Sequence, residues 1–369
     1  MSDVINKQAL SEERPLVTLA LFSYNSEKYI REAVEGALSQ TYSPLEIILS
    51  DDCSKDRTYE IMQEMASSYK GPHHVIVRRN ERNLRVPGHV NKLFQLAHGE
   101  LIVAAAGDDI SLPHRVQTLT DEWLKHGKPL GVNSNRYKID SSGVSLGKDP
   151  VGEGFPAWID KIEGISDQEH RDLLSQFCQL KWRFSGASAA WRSDLLEIYG
   201  YLPMGVLGED MLFNFRALLE KSFAFCPEKL IKYRTHEGAL SHKPHTSYMP
   251  SDVRKRELDS SKMSNIRIKH YMQLIHDLDL SLDRGKVDAD TYNTVHQVVL
   301  ERVEYDGIMG KWWTIAWPKR VLYFLLNISN RPFRKWAIRR LLPFTLYCRL
   351  LYPYSKILRF KRLVVAKVR

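Results

Sequence analysis

Cysteine is scarce in this chain. Cys53, Cys178, Cys226 and Cys348 stand far apart, with no CxxC pair and no Cys/His cluster. That spacing argues against a zinc site or a disulfide framework and fits a reducing compartment. Long apolar runs are also missing. No uncharged apolar stretch reaches about 18 residues, so no transmembrane helix is expected. The opening MSDVINKQALSEERP is polar and lacks the apolar segment of a signal peptide. No GxGxxG follows a strand-like run, and neither GxSxG nor HExxH occurs. GVSLGKD at 143–149 resembles a P-loop only superficially. Its glycine spacing is one residue short, and Asp149 stands where Ser or Thr is needed.

Acid is absent from one long region. No Asp or Glu follows Asp306, while residues 307–369 hold 15 Lys and Arg. The whole chain carries +9, so residues 1–306 carry −6. The overall basicity therefore belongs to the C-terminal segment alone, and that segment needs its own explanation.

What is present begins with LVTLALF at 16–22, an apolar run rich in strand formers. SYNS at 23–26 breaks it, and Asn25 or Ser26 is placed to cap a helix. Tyr29, Ile30, Ala33, Val34, Ala37 and Leu38 then recur at helical spacing. LEIILS at 45–50 reads as a second strand, 57–65 as a helix and 75–77 as a third strand. Residues 89–97 read as a helix and 100–106 as a fourth strand. Alternating strands and helices of this length predict βαβ units and a mostly parallel sheet. Residues 140–170 read as a loop, 209–219 as a helix, 223–234 as extended chain, 236–262 as polar loop and 263–305 as helical.

In parallel sheets ligands bind beyond the carboxyl ends of the strands. Three such ends carry polar clusters here: SYN at 23–25, DD at 51–52 and GDD at 107–109. Adjacent carboxylates at a strand end repel unless a cation neutralises them, and Mg²⁺ or Mn²⁺ takes such oxygen ligands. The competing reading of Asp109 is a cap for the helix after Pro113. Gly107 suits close approach by a ligand. Asp51 and Asp52 read either as helix caps near 54–57 or as acceptors for a nucleobase N–H or ribose hydroxyl. Glu209 and Asp210 suit the first turn of a helix through its dipole, or provide a general base. The residues themselves leave both alternatives open.

Four segments resemble, in order, the family two glycosyltransferases of the GT-A fold. They are LVTLALFSYNSEKYIREAVEGALSQTYSPLEIILSDDCSKDRTYEI at 16–61, ERNLRVPGHVNKLFQLAHGELIVAAAGDDISLPHRV at 81–116, LGEDMLFNFRALL at 207–219 and YRTHEGALS at 233–241. The resemblance covers roughly 14–240. It implies an α/β, Rossmann-like, mostly parallel sheet flanked by helices. Beside this fold, the sequence gives a C-terminal helical basic appendage. The resulting division is a polar segment 1–14, a catalytic domain 15–245, a helical extension 246–306 and a basic amphipathic tail 307–369.

By that resemblance, Tyr24 would stack on the nucleobase and Asp51 would accept its N–H. Arg85 would approach the base or phosphates. Asp108 and Asp109 would serve the ribose and a Mg²⁺ or Mn²⁺ on the diphosphate, with His236 near the metal. Asp210 would be the base, with Glu209 beside it. One departure stands out: Ala106 occupies a position where many relatives have a further Asp. The implied activity is inverting hexosyl or deoxyhexosyl transfer from a nucleoside-diphosphate sugar to a glycan or lipid-linked glycan, in the building of a bacterial surface polysaccharide. A non-catalytic nucleotide-sugar or glycan binder is the alternative. A nucleotidyltransferase is disfavoured, because SYNSEKY stands where its glycine-rich basic loop belongs.

In the tail, Trp312, Trp313, Trp317 and Trp336 alternate with Arg and Lys. Three readings follow: attachment to an anionic membrane surface, packing on the body, or a nucleic-acid surface. The first is favoured and nucleic acid is not expected, which places the chain in the cytoplasm on the inner face of the membrane.

Overall fold

The computed structural model describes residues 14–147, 162, 164–180, 184–238, 250–326 and 340. Its first half alternates as expected: β1 (Val17–Ser23), α1 (Ile30–Leu38), β2 (Leu45–Asp51), α2 (Thr58–Ser68), β3 (His74–Arg79), α3 (Arg85–Leu96) and β4 (Leu101–Ala106). The short β5 (Ile110–Ser111), α4 (Arg115–Lys125), β6 (Gly131–Ile139) and α5 (Asp167–Cys178) follow. A 3-10 turn at Gly186–Ser188 leads into β7 (Ala189–Arg192), α6 (Leu195–Tyr199), α7 (Glu209–Leu219) and β8 (Phe223–Arg234). Three helices close the described chain: α8 (Pro250–Asp283), α9 (Ala289–Lys311) and α10 (Trp317–Leu326).

The eight strands form one sheet in the order β3-β2-β1-β4-β7-β6-β8-β5. Pairings among β1–β4 are parallel, as is β6 with β8, while β7 runs antiparallel to both neighbours. β1, β2 and β4 are almost wholly buried, which is why they read as continuous apolar runs rather than alternating ones. Alternate residues serve opposite faces. Leu19, Leu21, Ile47, Leu49 and Val103 pack with α1, α2 and α4. Ala20, Ile48, Ile102 and Ala104 belong to a second core with α3, α5 and α7.

That second core also includes Tyr271, Leu274 and Leu278 of α8 and Val295 and Val299 of α9. The C-terminal helices thus share an apolar cluster with the sheet. A fully buried ion pair reinforces the joint: Arg216 Nε of α7 donates to Asp277 Oδ2 of α8 at 2.8 Å. Removing one partner of such a pair typically costs about 3–5 kcal/mol, because the other charge is left buried alone.

Two local expectations are corrected. Neither Asn25 nor Ser26 caps α1, which starts after Tyr29 without a side-chain cap. Instead Asn25 adopts φ +51°, and its Oδ1 accepts the Lys55 N–H at 2.9 Å, tying the β1–α1 loop to the β2–α2 loop. α8 begins at Pro250, inside the segment read as polar loop. Its charged first turns hide their helicity because the apolar face starts only near Tyr271. Residues 1–13, most of the 148–163 loop, His242 and His245 in the 239–249 segment, and the tail at 327–339 and 341–369 lie outside the described residues.

Candidate functional site

The carboxyl ends of β1, β2 and β4 lie side by side, since Ser23 registers with Asp51 and Phe22 with Ala106. Parallel pairing therefore brings the three polar clusters to one edge. Gly107 also has a packing reason. A Cβ there would lie 2.2 Å from Ser23 Oγ, so the glycine lets the ends of β1 and β4 close together.

Asp51 is fully buried. Its Oδ2 accepts the Ser54 N–H at 2.9 Å and faces Arg79 Nε at 3.2 Å. Its Oδ1 is buried without a hydrogen-bond partner. Asp52 serves the scaffold: Oδ1 accepts from Asn80 Nδ2 at 2.7 Å and from the Leu84 N–H at 2.8 Å. This pins the loop that leads to Arg85. Arg85 itself is exposed at the start of α3, with φ +60°. Tyr24, next to Ser23 at the edge, is 43% exposed.

The adjacent aspartates face different ways. Asp108 is partly exposed, and its Oδ2 lies 3.0 Å from His236 Nε2. Asp109 is buried, and its Oδ1 accepts the Arg234 N–H at 2.7 Å. Burial, with the Asp108 charge adding to it, holds the Asp109 carboxyl well above the ordinary range. Asp108 Oδ2 suits Mg²⁺ or Mn²⁺ as a ligand, and a His236 nitrogen beside it would favour Mn²⁺ of the two. Among the described residues no group of three or more His, Cys, Asp and Glu gathers as a metal site. The remaining positions of an ion held here would fall to water or to oxygens of a bound ligand.

Arg234 organises this corner. It is 2% exposed. Its Nε donates to the Asp108 carbonyl at 2.9 Å, its Nη2 to Glu32 at 3.0 Å, and its guanidinium lies 4.9 Å from the Tyr29 ring centroid. Tyr29 packs against His236 at 4.5 Å between centroids.

Glu209 and Asp210 open α7 after Gly208. Asp210 Oδ1 accepts the Met211 N–H at 2.8 Å, and its backbone carbonyl accepts from Asn214 Nδ2 at 2.5 Å. Glu209 is buried against the 3-10 turn. Burial, then the neighbouring Asp210 charge, pushes its carboxyl up to about 8. Arg115 connects this side to the aspartate pair. Fully buried, its Nη2 donates to the Ala104 carbonyl of β4 and to the Ala187 carbonyl of the 3-10 turn, both at 2.7 Å. Its Nη1 donates to Ser111 Oγ at 2.8 Å. Desolvation lowers its pKa to about 10, while Asp109 opposes that shift.

Of the residues singled out in the sequence, the fold joins Asp108 to His236 directly and sets Asp51 and Tyr24 at the adjoining strand end. Arg234, Arg115, Tyr29 and Gly186 were missed. Arg234 and Arg115 stood inside quoted motifs as cations with no assigned partner. A fully buried arginine looks no different in sequence from a surface one.

The model of "Glycosyl transferase family 2" matches residues 18–165, a span holding the strand ends and the aspartate pair. The chain carries a family 2 glycosyltransferase domain. It is 32% identical over 130 residues to the putative glycosyltransferase EpsE of Bacillus subtilis, covering 35% of this chain and 46% of that protein. It is 31% identical over 129 residues to a chondroitin synthase of Escherichia coli, covering 35% of this chain and 18% of that protein. The chain thus spans less than half the length of these two curated relatives. A mannosyltransferase from Pyrobaculum calidifontis, solved with GDP-Man and Mn²⁺, aligns over 94% of this chain and 89% of its own, at 15% identity and a TM-score of 0.48. In this chain the sheet extends beyond the matched span, since β7 and β8 continue it.

Proposed function

We propose that this protein transfers a sugar from a nucleoside diphosphate to a hydroxyl of a glycan or lipid-linked glycan, with inversion at the anomeric carbon. The observation that carries this reading is the convergence of three acidic elements on one site. Asp51 offers a buried carboxylate oxygen, Asp108 pairs with His236, and Arg115 joins their sheet edge to the turn beneath Glu209 and Asp210.

The roles we assign are these. Asp51 Oδ1, buried and lacking a protein partner, would accept an N–H of the base once binding uncovers it, and the exposed Tyr24 ring would stack on the base. Arg85 approaches the phosphates. Asp108 and His236 would hold Mg²⁺ or Mn²⁺, with Asp109 behind them keeping Arg234 in place. Such an ion neutralises the charge that develops on the diphosphate. Asp210 takes the proton of the acceptor hydroxyl as its oxygen bonds to the anomeric carbon. The bond to the diphosphate breaks on the opposite side, and its electron pair leaves with the phosphate oxygen. Glu209, held protonated near neutrality by burial, adds no second charge beside the base. The biological setting we infer is surface polysaccharide synthesis on the cytoplasmic side of a bacterial membrane.

The test is a thermal-shift screen with UDP-, dTDP- and GDP-sugars, each with and without Mn²⁺ or Mg²⁺. A ligand that binds only the folded state raises Tm. One nucleotide class should give a metal-dependent rise, and His236→Ala should weaken the apparent metal affinity by about 10–100-fold. No rise with any donor in the presence of metal would overturn the reading.

A further inference from the structure

Sugar transfer gives the basic C-terminal segment no role. Its described helix, α10, is built with the expected polarity reversed. Arg320 is 5% exposed and Phe324 is buried beside it, while Leu322 and Leu325 are 56% and 55% exposed. Trp317 and Tyr323 are exposed as well. At about 100° per residue, Leu325, Pro318, Leu322, Lys319 and Tyr323 fall on one arc, away from Arg320 and Phe324. A helix that only padded the body would turn such an arc inward.

The inner side is well seated. Phe324 clusters with buried Trp312, backed by Tyr305, Ile308 and Trp313, and the Arg320 guanidinium lies 5.1 Å from the Trp313 ring centroid. Just before this cluster, Arg267 Nε of α8 donates to Asp306 Oδ1 of α9 at 2.9 Å. The outward leucines therefore belong to a helix fixed to the C-terminal hairpin.

We propose that the outward face of α10 docks on an anionic lipid bilayer, with Leu322 and Leu325 in the acyl boundary and Lys319 at the headgroups. Charge complementarity selects this occupant. From residue 307 to the end there are 15 Lys and Arg and no Asp or Glu, and 43 of those residues follow α10. A sheet of anionic headgroups meets both features at once. A second copy pairing through this same face would set like charge against like charge. Nucleic acid would satisfy the cations but leave the leucines in water. The ten described residues of α10 make about 15 Å, and on this proposal the described face lies in the interface plane. No described helix is long and apolar enough to cross a membrane. This docking goes beyond sugar transfer and is independent of it.

The experiment is co-sedimentation of the full chain with phosphatidylcholine vesicles, with and without phosphatidylglycerol. Binding should be at least about tenfold tighter to the anionic vesicles and should weaken with added salt. The double variant Leu322→Glu/Leu325→Glu should lose at least about tenfold in that binding while keeping its Tm. In the unmodified chain, amides of 317–326 should gain hydrogen-exchange protection when anionic vesicles are added, a readout that stands even if the variant unfolds. Equal binding to both vesicle types, undiminished binding of the folded double variant, or unchanged exchange at 317–326 would each overturn the proposal. So would a chain that binds DNA but not vesicles, or a variant whose only defect is loss of a dimer.

Discussion

Gly186 and Glu209 share one corner of the pocket: a Cβ at position 186 would stand 2.0 Å from Glu209 Oε1 and 3.2 Å from Asp210 Cβ. The absence of a side chain on the 3-10 turn is what lets the buried Glu209 carboxyl fold beneath Asp210, the proposed base. Gly186→Ala should displace Glu209 and, through it, Asp210. We expect kcat to fall at least about tenfold, with a stability loss of about 1–3 kcal/mol from overpacking. The donor-induced rise in Tm should persist, because the sheet edge proposed to hold the nucleotide is untouched. Unchanged turnover in Gly186→Ala would show that the turn does not set the position of the base.

Asp210 and Glu209 should separate by substitution. Asp210→Asn removes the proposed proton acceptor and should lower kcat by about 10²–10⁴-fold while leaving donor binding intact. Glu209→Gln mimics the protonated carboxyl and should keep most of the activity. Single-turnover transfer with a saturating donor measures both. A larger loss in Glu209→Gln than in Asp210→Asn would reverse the assignment of the base.

Glu209 also gives stability a pH dependence of known sign. Its folded-state pKa of about 8 lies above the ordinary 4.5. A carboxyl raised in this way stabilises the fold fully only below the ordinary range, and that contribution is lost as pH rises through about 8. Thermal melts across about pH 5 to 9 should show a falling Tm, levelling off above about 8. Glu209→Gln cannot ionise, so its Tm should fall by about 2–4 °C less over the same interval. Parallel curves for the two proteins would contradict the burial argument.

Arg115 should matter through position rather than contact with substrate. Arg115→Lys keeps a cation but cannot reach both the Ala104 and Ala187 carbonyls in the same geometry. It should lower kcat by about tenfold or more, with a smaller change in donor KM. Arg115→Met leaves buried carbonyls and Asp109 without their cation and should cost about 3–5 kcal/mol in urea unfolding. Full activity in folded Arg115→Lys would confine the residue to a purely structural role.

The sheet was legible because strands buried on both faces must be apolar throughout, so LVTLALF, LEIILS and LIVAAA announce themselves. The acidic clusters were legible because carboxylates at strand ends are costly and therefore conspicuous. The charge of the tail was plain from counting. What the sequence left undecided are relationships between residues far apart in the chain. Asp109 meets the Arg234 N–H across 125 positions, and Arg115 meets the Ala187 carbonyl across 72. Only the folded sheet turns one of two adjacent aspartates inward and the other toward His236. Only packing decides that Arg320 is covered while Leu322 and Leu325 face out. Residue type records what a side chain prefers; which preference is met depends on the neighbours that the tertiary fold supplies.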